Sequence, residues 1–337
     1  MKPNWKRRLK NLFVNRGLAL MYHRIAALPA DPWQIAVSPE RFSEHLEVLR
    51  KYRVVPAGTL VRQLHHRCVA SGTVCLTFDD GYGDNYRTAR PLLEKHDCPA
   101  SFFIATAYVD SESEFWWDEL ARMILEPVEL PSQLSLFIGK GLFQFTLDQD
   151  RRLTEEQRRR QQGWSWYRAP PTQRCALYLE LSERLRALPL FQIQWELKKI
   201  RDWAEFSEAP RGDYRPMTRQ QLQEMGRHPL FDIGLHTETH PSLPCHSPET
   251  QRREITGCGR FLKEQLGRAP RTLAYPYGNF DAATLAIVRE QQLQAGFTTC
   301  GQTITNRTDP HRIGRFHVRN WNGDEFEKNL SYWASAL

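Results

Sequence analysis

The sequence predicts an α/β fold built on a parallel sheet. Three observations carry this reading. Short apolar runs alternate with helical stretches, the residues fit for chemistry gather where those runs end, and one aromatic-rich region interrupts the rhythm. The runs are 17–22 (GLALMY), 73–79 (TVCLTFD), 101–105 (SFFIA), 231–235 (FDIGL), 272–276 (TLAYP), 296–299 (GFTT) and 313–318 (IGRFHV). Each is apolar, β-branched or aromatic and bounded by turn residues, as a buried strand is. Helical stretches fall between them, over 39–51, 84–95, 218–227, 248–266 and 281–292. Ser38 before Pro39 is a good helix start, serine as N-cap and proline in the first turn. In such a sheet, open or closed into a barrel, chemistry collects at the C-terminal strand ends.

A chain of 337 residues can bury a large core, and its hydrophobic and charged content is that of an ordinary globular protein. No apolar run is long enough to span a membrane. The basic N-terminus is not followed by the apolar stretch a secretory signal needs, so the expected location is cytoplasmic. Seven cysteines, at 68, 75, 98, 175, 245, 258 and 300, form no CxxC pair and fit a reducing compartment. The formal charge of +7 has a local origin: residues 1–30 hold Lys2, Lys6, Arg7, Arg8, Lys10, Arg16 and Arg24 and no acid. Removing those seven from the 46 basic residues leaves as many bases as the 39 acids. Within 1–16, Trp5, Leu9, Leu12 and Phe13 follow helical spacing. This segment reads either as a peripheral contact with an anionic membrane surface or as a helix docked on the core. Nucleic-acid binding is not expected, because no basic patch recurs.

Residues 108–215 break the alternation. They are rich in charge and in tryptophan (116, 117, 164, 166, 195, 203), and they read as an insertion between two parts of one α/β domain, 17–107 and 216–337. Within it, RRLTEEQRRRQQ (151–162) reads as a solvated helix face or connecting loop. EFWWDEL (114–120) reads as a helix with at most one tryptophan facing inward. The insertion is expected to act as a cap that narrows substrate choice.

The chemistry begins at TFDDG, where Asp79 and Asp80 end a strand and Gly81 permits a sharp turn. Burying two carboxylates without a metal or partner is costly, so such a pair has a task or caps a turn. Acidic pairs of this kind also serve Mg²⁺-dependent phosphoryl transfer. The strand 231–235 then ends in HTETH. His236 and His240 stand four apart, so on a helical turn both imidazoles would project from one face and share a metal. Two His and one carboxylate form a ligand set with open positions, and imidazole favours Zn²⁺ or a similar transition metal over Mg²⁺. With no phosphate-cradling G-x-x-x-x-G-K-[ST] loop, metal-assisted hydrolysis is the better reading.

Together TFDDG (77–81), H-T-x-x-H (236–240), PYG (276–278) and the PASFFIA strand (99–105) resemble the motif set of the polysaccharide deacetylases, carbohydrate esterase family 4. The resemblance covers about 17–107 and 216–320. It implies a distorted (β/α) barrel of about seven strands that removes N-acetyl groups from amino sugars. By position it implies Asp79 as catalytic base and Asp80, His236 and His240 as ligands of one divalent ion, Zn²⁺ foremost with Co²⁺ or Ni²⁺ possible. Tyr277 would supply an oxyanion donor through its backbone N–H, and Tyr277, Pro276 and Tyr82 would border the substrate.

The chain departs from the family pattern twice. Many members carry an arginine two residues before the proline of PYG, where this chain has Ala274; Arg315, with Arg271 as runner-up, is the candidate to steer Asp79 instead. The late Leu-x-His tripeptide whose histidine serves as general acid is missing. A subgroup acting on bacterial exopolysaccharides carries an early Tyr-His segment, which MYHRI (21–25) resembles, and this makes His23 the expected acid, with His317 second. Arg24 is expected in a structural ion pair. The implied substrate is an N-acetylated saccharide, or a lipid-linked sugar used in glycan assembly. Deformylation, a non-sugar amidase and an inactive glycan-binding module are the competing functions.

Overall fold

In a computed structural model, which describes residues 16–139 and 141–335, the apolar runs become seven parallel strands. They are β1 (Gly17–Tyr22), β2 (Thr73–Phe78), β3 (Ala100–Ile104), β4 (Phe231–Leu235), β5 (Thr272–Ala274), β6 (Ala295–Phe297) and β7 (Phe316–His317). Their order across the sheet is β6-β5-β4-β3-β2-β1-β7. The segment 313–318 joins the two edges. At its start Ile313 donates to Gly296 O at 2.9 Å and accepts from Thr298 N at 2.8 Å, and at its end Val318 donates to Met21 O at 3.0 Å. The curled sheet thus becomes the distorted barrel.

Register sets what meets at the barrel mouth. β1 and β2 pair from Gly17 with Thr73 to Tyr22 with Phe78, so His23 and Asp79 leave the sheet at one level. β3 and β4 pair from Ala100 with Phe231 to Ile104 with Leu235, which brings His236 to the same end. Alternate strand residues serve two cores, since successive side chains face opposite sides of a sheet. Leu18, Leu20, Tyr22, Leu76, Phe78 and Phe102 pack with the outer helices, and the rings of Tyr22, Phe78 and Phe102 stack in sequence at 5.3 and 4.8 Å. Ala19, Cys75, Phe103, Ala274 and Phe297 belong to a second cluster, with the helix Ala57–His65.

The helices agree with their predicted places to within a few residues, with one difference in kind. The stretch 84–95 opens as a π-helical turn, Asn85–Ala89, before the α-helix Arg90–Lys95. The strand Arg53–Val54, the helix Ala57–His65 and the C-terminal helix Gly323–Ser335 were not among the expected elements, although Ala57, Leu60, Val61 and Leu64 follow helical spacing and are buried; the last helix buries only Phe326 and Leu330. Of the basic N-terminal segment, residues 1–15 lie outside the described residues. Among the described residues no helix is long and apolar enough to cross a membrane.

The chain divides into two compact units, 16–27, 35–109 and 217–335 as one and 28–34 with 110–216 as the other. The second holds an antiparallel hairpin, Gln133–Ile138 with Gly141–Thr146, and the helices Trp116–Leu125, Glu155–Gln162, Gln173–Leu185 and Leu190–Trp203. Arg174 is fully buried there and donates to the carbonyls of Asp150 (2.8 Å) and Pro127 (2.6 Å). Glu114, also buried, pairs with both Arg122 and Arg211. Both Trp116 and Trp117 are buried, not one of them. They stand at the helix start, where Trp117 stacks on Phe115 at 4.9 Å, and this helix is buried on most sides, through Leu120, Arg122, Met123, Ile124 and Leu125 as well. The charged run 151–162 forms a helix from Glu155 closed by a Thr154–Gln157 capping box.

Candidate metal centre and active site

The turn after β2 is built to point two adjacent carboxylates in different directions. Asp80 has φ +72° and Gly81 +92°, and Gly81 N–H returns to Asp79 O at 2.9 Å, so the chain reverses within three residues. A non-glycine residue in the left-handed region is strained, and such strain concentrates at functional sites. Asp79 accepts from Arg315 through both oxygens: Nη1 to Oδ1 at 2.7 Å and Nη2 to Oδ2 at 2.7 Å. Arg315 is fully buried and also donates to Thr77 Oγ1 (3.0 Å) and Thr298 O (3.0 Å), so its fork is held in place from three sides. Burial pushes the Asp79 carboxyl upward, but the Arg315 charge, His236 and the two hydrogen bonds outweigh it and hold it well below the usual range. Arg271 is exposed at the start of β5, the far end of the strand from the mouth.

Asp80, His236 and His240 are all buried, and one donor atom from each lies within 4.8 Å of the others. Both imidazole Nε2 atoms stand 3.4 Å from Asp80 Oδ1. The two histidines do not ride on a helical turn, contrary to the spacing argument. They occupy a loop in which Thr237 (φ +66°) and His240 (φ +59°) take left-handed backbone, and these reversals bring the rings together at 4.7 Å between centroids. The loop is tied internally by Thr237 Oγ1, which accepts from His240 N at 3.1 Å. It is tied externally by Glu254, whose carboxylate accepts from Thr239 N and Thr239 Oγ1, both at 2.8 Å.

A divalent cation fits these residues. His236 Nδ1 donates to the Ala274 carbonyl at 2.8 Å, which places a proton on Nδ1 and turns the Nε2 lone pair, on the side of Asp80, into a metal ligand. Burial pushes His236 down, but Asp79 and Asp80 outweigh it and raise it, so the position attracts positive charge. His240 is pushed down to about 3 by burial, which keeps its ring neutral and able to ligate. Burial works against ionised Asp80 as well, yet His236 and His240 hold its carboxyl low. Two imidazoles and one carboxylate suit a transition metal better than Mg²⁺.

The remaining candidates divide. His23 is half-buried at the end of β1, edge-on to His317 at 5.8 Å, with its Nδ1 buried and lacking a hydrogen-bond partner among the described residues. A charge on His23 would bear on Asp79, Asp80 and His240 alike, so it shares their end of the barrel. Tyr277, half-buried with φ +57°, sets its ring against His240 at 4.7 Å, while Pro276 is buried beside it. Tyr82 was expected at the substrate, but its ring is fully buried under the Arg24 guanidinium at 4.5 Å and supports the turn instead. Arg24 in turn bonds Asp84 at 2.9 Å, and Asp84 also receives Ile25 N. Sequence reasoning did not find Thr77, Thr298, Glu254 or the Ala274 carbonyl. Only Asp84 left a signal, as a third acid in TFDDGYGD.

The family model for polysaccharide deacetylase matches residues 66–133 and 198–296. The chain belongs to the polysaccharide deacetylase family. A poly-beta-1,6-N-acetyl-D-glucosamine N-deacetylase of Staphylococcus epidermidis is 27% identical over 125 residues, 35% of this chain and 42% of the relative. Proteins of the same name from Staphylococcus aureus strains are 22% identical over the same length, so the chain spans about two-fifths of these curated relatives. Among solved structures, the Streptococcus pyogenes deacetylase PplD in complex with acetate superimposes over 94% of this chain and 98% of its own, with TM-score 0.57 and 18% identity. IcaB from Ammonifex degensii covers 96% of this chain and 98% of its own, with TM-score 0.56 and 21% identity. These likenesses establish the fold of the family, the deacetylase barrel.

Proposed function

We propose that this protein hydrolyses the N-acetyl amide of an amino sugar in a glycan or a lipid-linked saccharide, releasing acetate and a free amine. The observation that carries the reading is the pairing of two unlike carboxylates at one turn. Asp79 is kept ionised by Arg315, while Asp80 faces two imidazoles. Asp80, His236 and His240 would hold one divalent ion, which we take to be Zn²⁺ with Co²⁺ or Ni²⁺ as substitutes. When bound, such an ion polarises the amide carbonyl and makes water acidic near neutrality. Asp79 takes the proton of the attacking water, and Arg315 keeps its carboxylate aimed. The Tyr277 N–H donates to the oxygen as it gains charge. His23 returns a proton to the sugar nitrogen, so that the C–N bond breaks to leave amine and acetate. His317, edge-on to it, is the alternative acid.

The curated relatives are named for poly-β-1,6-N-acetyl-D-glucosamine, and we propose a glycan of that class as the first substrate to try. The test follows acetate and formate from N-acetylated and N-formylated glycans and lipid-linked amino sugars, with Asp79→Asn, His23→Ala and His317→Ala in parallel. Acetate release abolished in Asp79→Asn and His23→Ala supports the reading. Formate in place of acetate changes the acyl group, and activity that survives His23→Ala but not His317→Ala moves the acid. No release of either acid by a metal-loaded protein refutes hydrolysis of these amides.

A further inference from the structure

We infer that the tip of the hairpin and the first turns of the helix Leu190–Trp203 form a surface that enters the interface of an anionic lipid bilayer. The hairpin obeys the alternation expected of a two-sided ribbon until its end. Leu134, Ile138 and Phe143 face inward and are buried, while the outward pairs Gln133–Thr146 and Ser135–Gln144 are polar. The outward pair nearest the turn is Phe137 with Leu142, which are 67% and 51% exposed. Two large apolar side chains stand where the pattern calls for polar ones.

The neighbouring helix breaks the rule at the same place. Ile193, Leu197 and Ile200 make its buried stripe. Along its flank Trp203 Nε1 donates to Gln133 O at 2.7 Å and Lys199 Nζ to Phe137 O at 2.9 Å, so these side chains cover one edge of the hairpin. The two preceding members of this four-residue series are Trp195 and Phe191. They continue toward the hairpin turn, where Leu188 lies 3.5 Å from the Cβ position of Gly139, and they are 62% and 68% exposed. Phe137, Leu142, Phe191 and Trp195 therefore gather at one end of this unit.

Charge selects the occupant. From Pro131 to Leu147 the sequence contains one charged residue, Lys140, and no carboxylate. The Lys198 ammonium lies over the Trp195 ring at 5.9 Å, while Lys199 reaches the strand edge and is neutralised there by its ion pair with Glu196, so Lys198 and Lys140 carry the cationic excess. Aromatic and aliphatic tips rimmed by lysine match an interface between acyl chains and anionic headgroups. A second copy of the surface would bring the same lysines against one another in a symmetric dimer, which like charge disfavours.

The test is cosedimentation of the full chain with vesicles of phosphatidylcholine alone and of phosphatidylcholine with phosphatidylglycerol in equal parts. The paired substitutions Phe191→Ser with Trp195→Ser, and independently Phe137→Ser with Leu142→Ser, are compared with deletion of residues 1–15. All four side chains point outward, so each variant should keep the parent melting temperature. Stronger partition to the anionic vesicles is expected, reduced at least about tenfold by either pair because each removes two large apolar groups from the interface. Absence of partition, or partition unchanged in both pairs, overturns the inference. Partition lost only in the 1–15 deletion assigns membrane contact to that segment and overturns it too. A dimer in sedimentation velocity that both pairs disperse, without vesicle binding, gives the face to a second copy.

Discussion

Replacing Arg315 by methionine strands a carboxylate inside the barrel. In the parent, Arg315 gives two 2.7 Å bonds to Asp79, one to Thr77 and one to Thr298, and neither charged group reaches solvent to any extent. Removing one partner of such a pair leaves an uncompensated buried charge and costs about 3–5 kcal/mol. The Thr298 carbonyl loses its charged donor as well, so the expected loss is at the upper part of that range. Asp79→Leu together with Arg315→Met removes both charges and should recover all but about 1–2 kcal/mol, because the desolvation of the pair disappears with it. Urea unfolding of the single and double variants, followed in chelator so that no bound cation compensates Asp79, measures the cycle. A loss below about 1 kcal/mol in Arg315→Met, the value of an exposed ion pair, would refute the claim that Asp79 is buried and ionised.

Other predictions follow from single contacts. His45 donates Nε2–H to Trp321 O at 2.8 Å, stacks on Phe326 at 4.1 Å, and is pushed down to about 4 by burial. Between its unfolded value of 6.5 and about 4 the unfolded chain binds more protons, so stability falls as pH is lowered through that window. The loss is about 2 kcal/mol at pH 5, absent in His45→Phe, and read by urea unfolding at pH 7 and 5. Glu254→Ala removes the acceptor of both Thr239 donors beside His240 and should weaken Zn²⁺ binding about 10–100-fold in a chelator competition, while Glu254→Gln retains part of it. Gly278 has φ +71°, and a Cβ there would lie 2.7 Å from Thr299 N, a backbone atom; Gly278→Ala should lower stability by about 2 kcal/mol or more and displace Tyr277.

The strands β1, β2, β3, β5 and β6 were legible because both faces of each are buried, and an uninterrupted apolar run bounded by turn residues has few other uses. The acidic and imidazole motifs were legible because they sit where those runs stop. What the sequence concealed is backbone conformation and long-range closure. The four-residue spacing of His236 and His240 suits a helix, yet the left-handed residues Thr237 and His240 produce the convergence, and no residue type announces them. Arg315 reaches Asp79 across 236 positions of sequence because segment 313–318 closes the ring; the strand-like IGRFHV ranks it ahead of Arg271, but the contact itself is a product of that closure. Tyr82 follows Gly81 immediately and looks like a mouth residue, but the turn folds it beneath Arg24. Glu254 sits on a long helix among other charged residues, and only the fold puts it under the loop of His236 and His240.

The most direct test of the account is acetate release from one N-acetylated glycan by a single preparation, assayed after chelation and again after reloading with Zn²⁺. The account predicts negligible release from the stripped protein, recovery on reloading, and no recovery in His236→Ala or Asp79→Asn. Equal rates before and after reloading, or full recovery in His236→Ala, would contradict it.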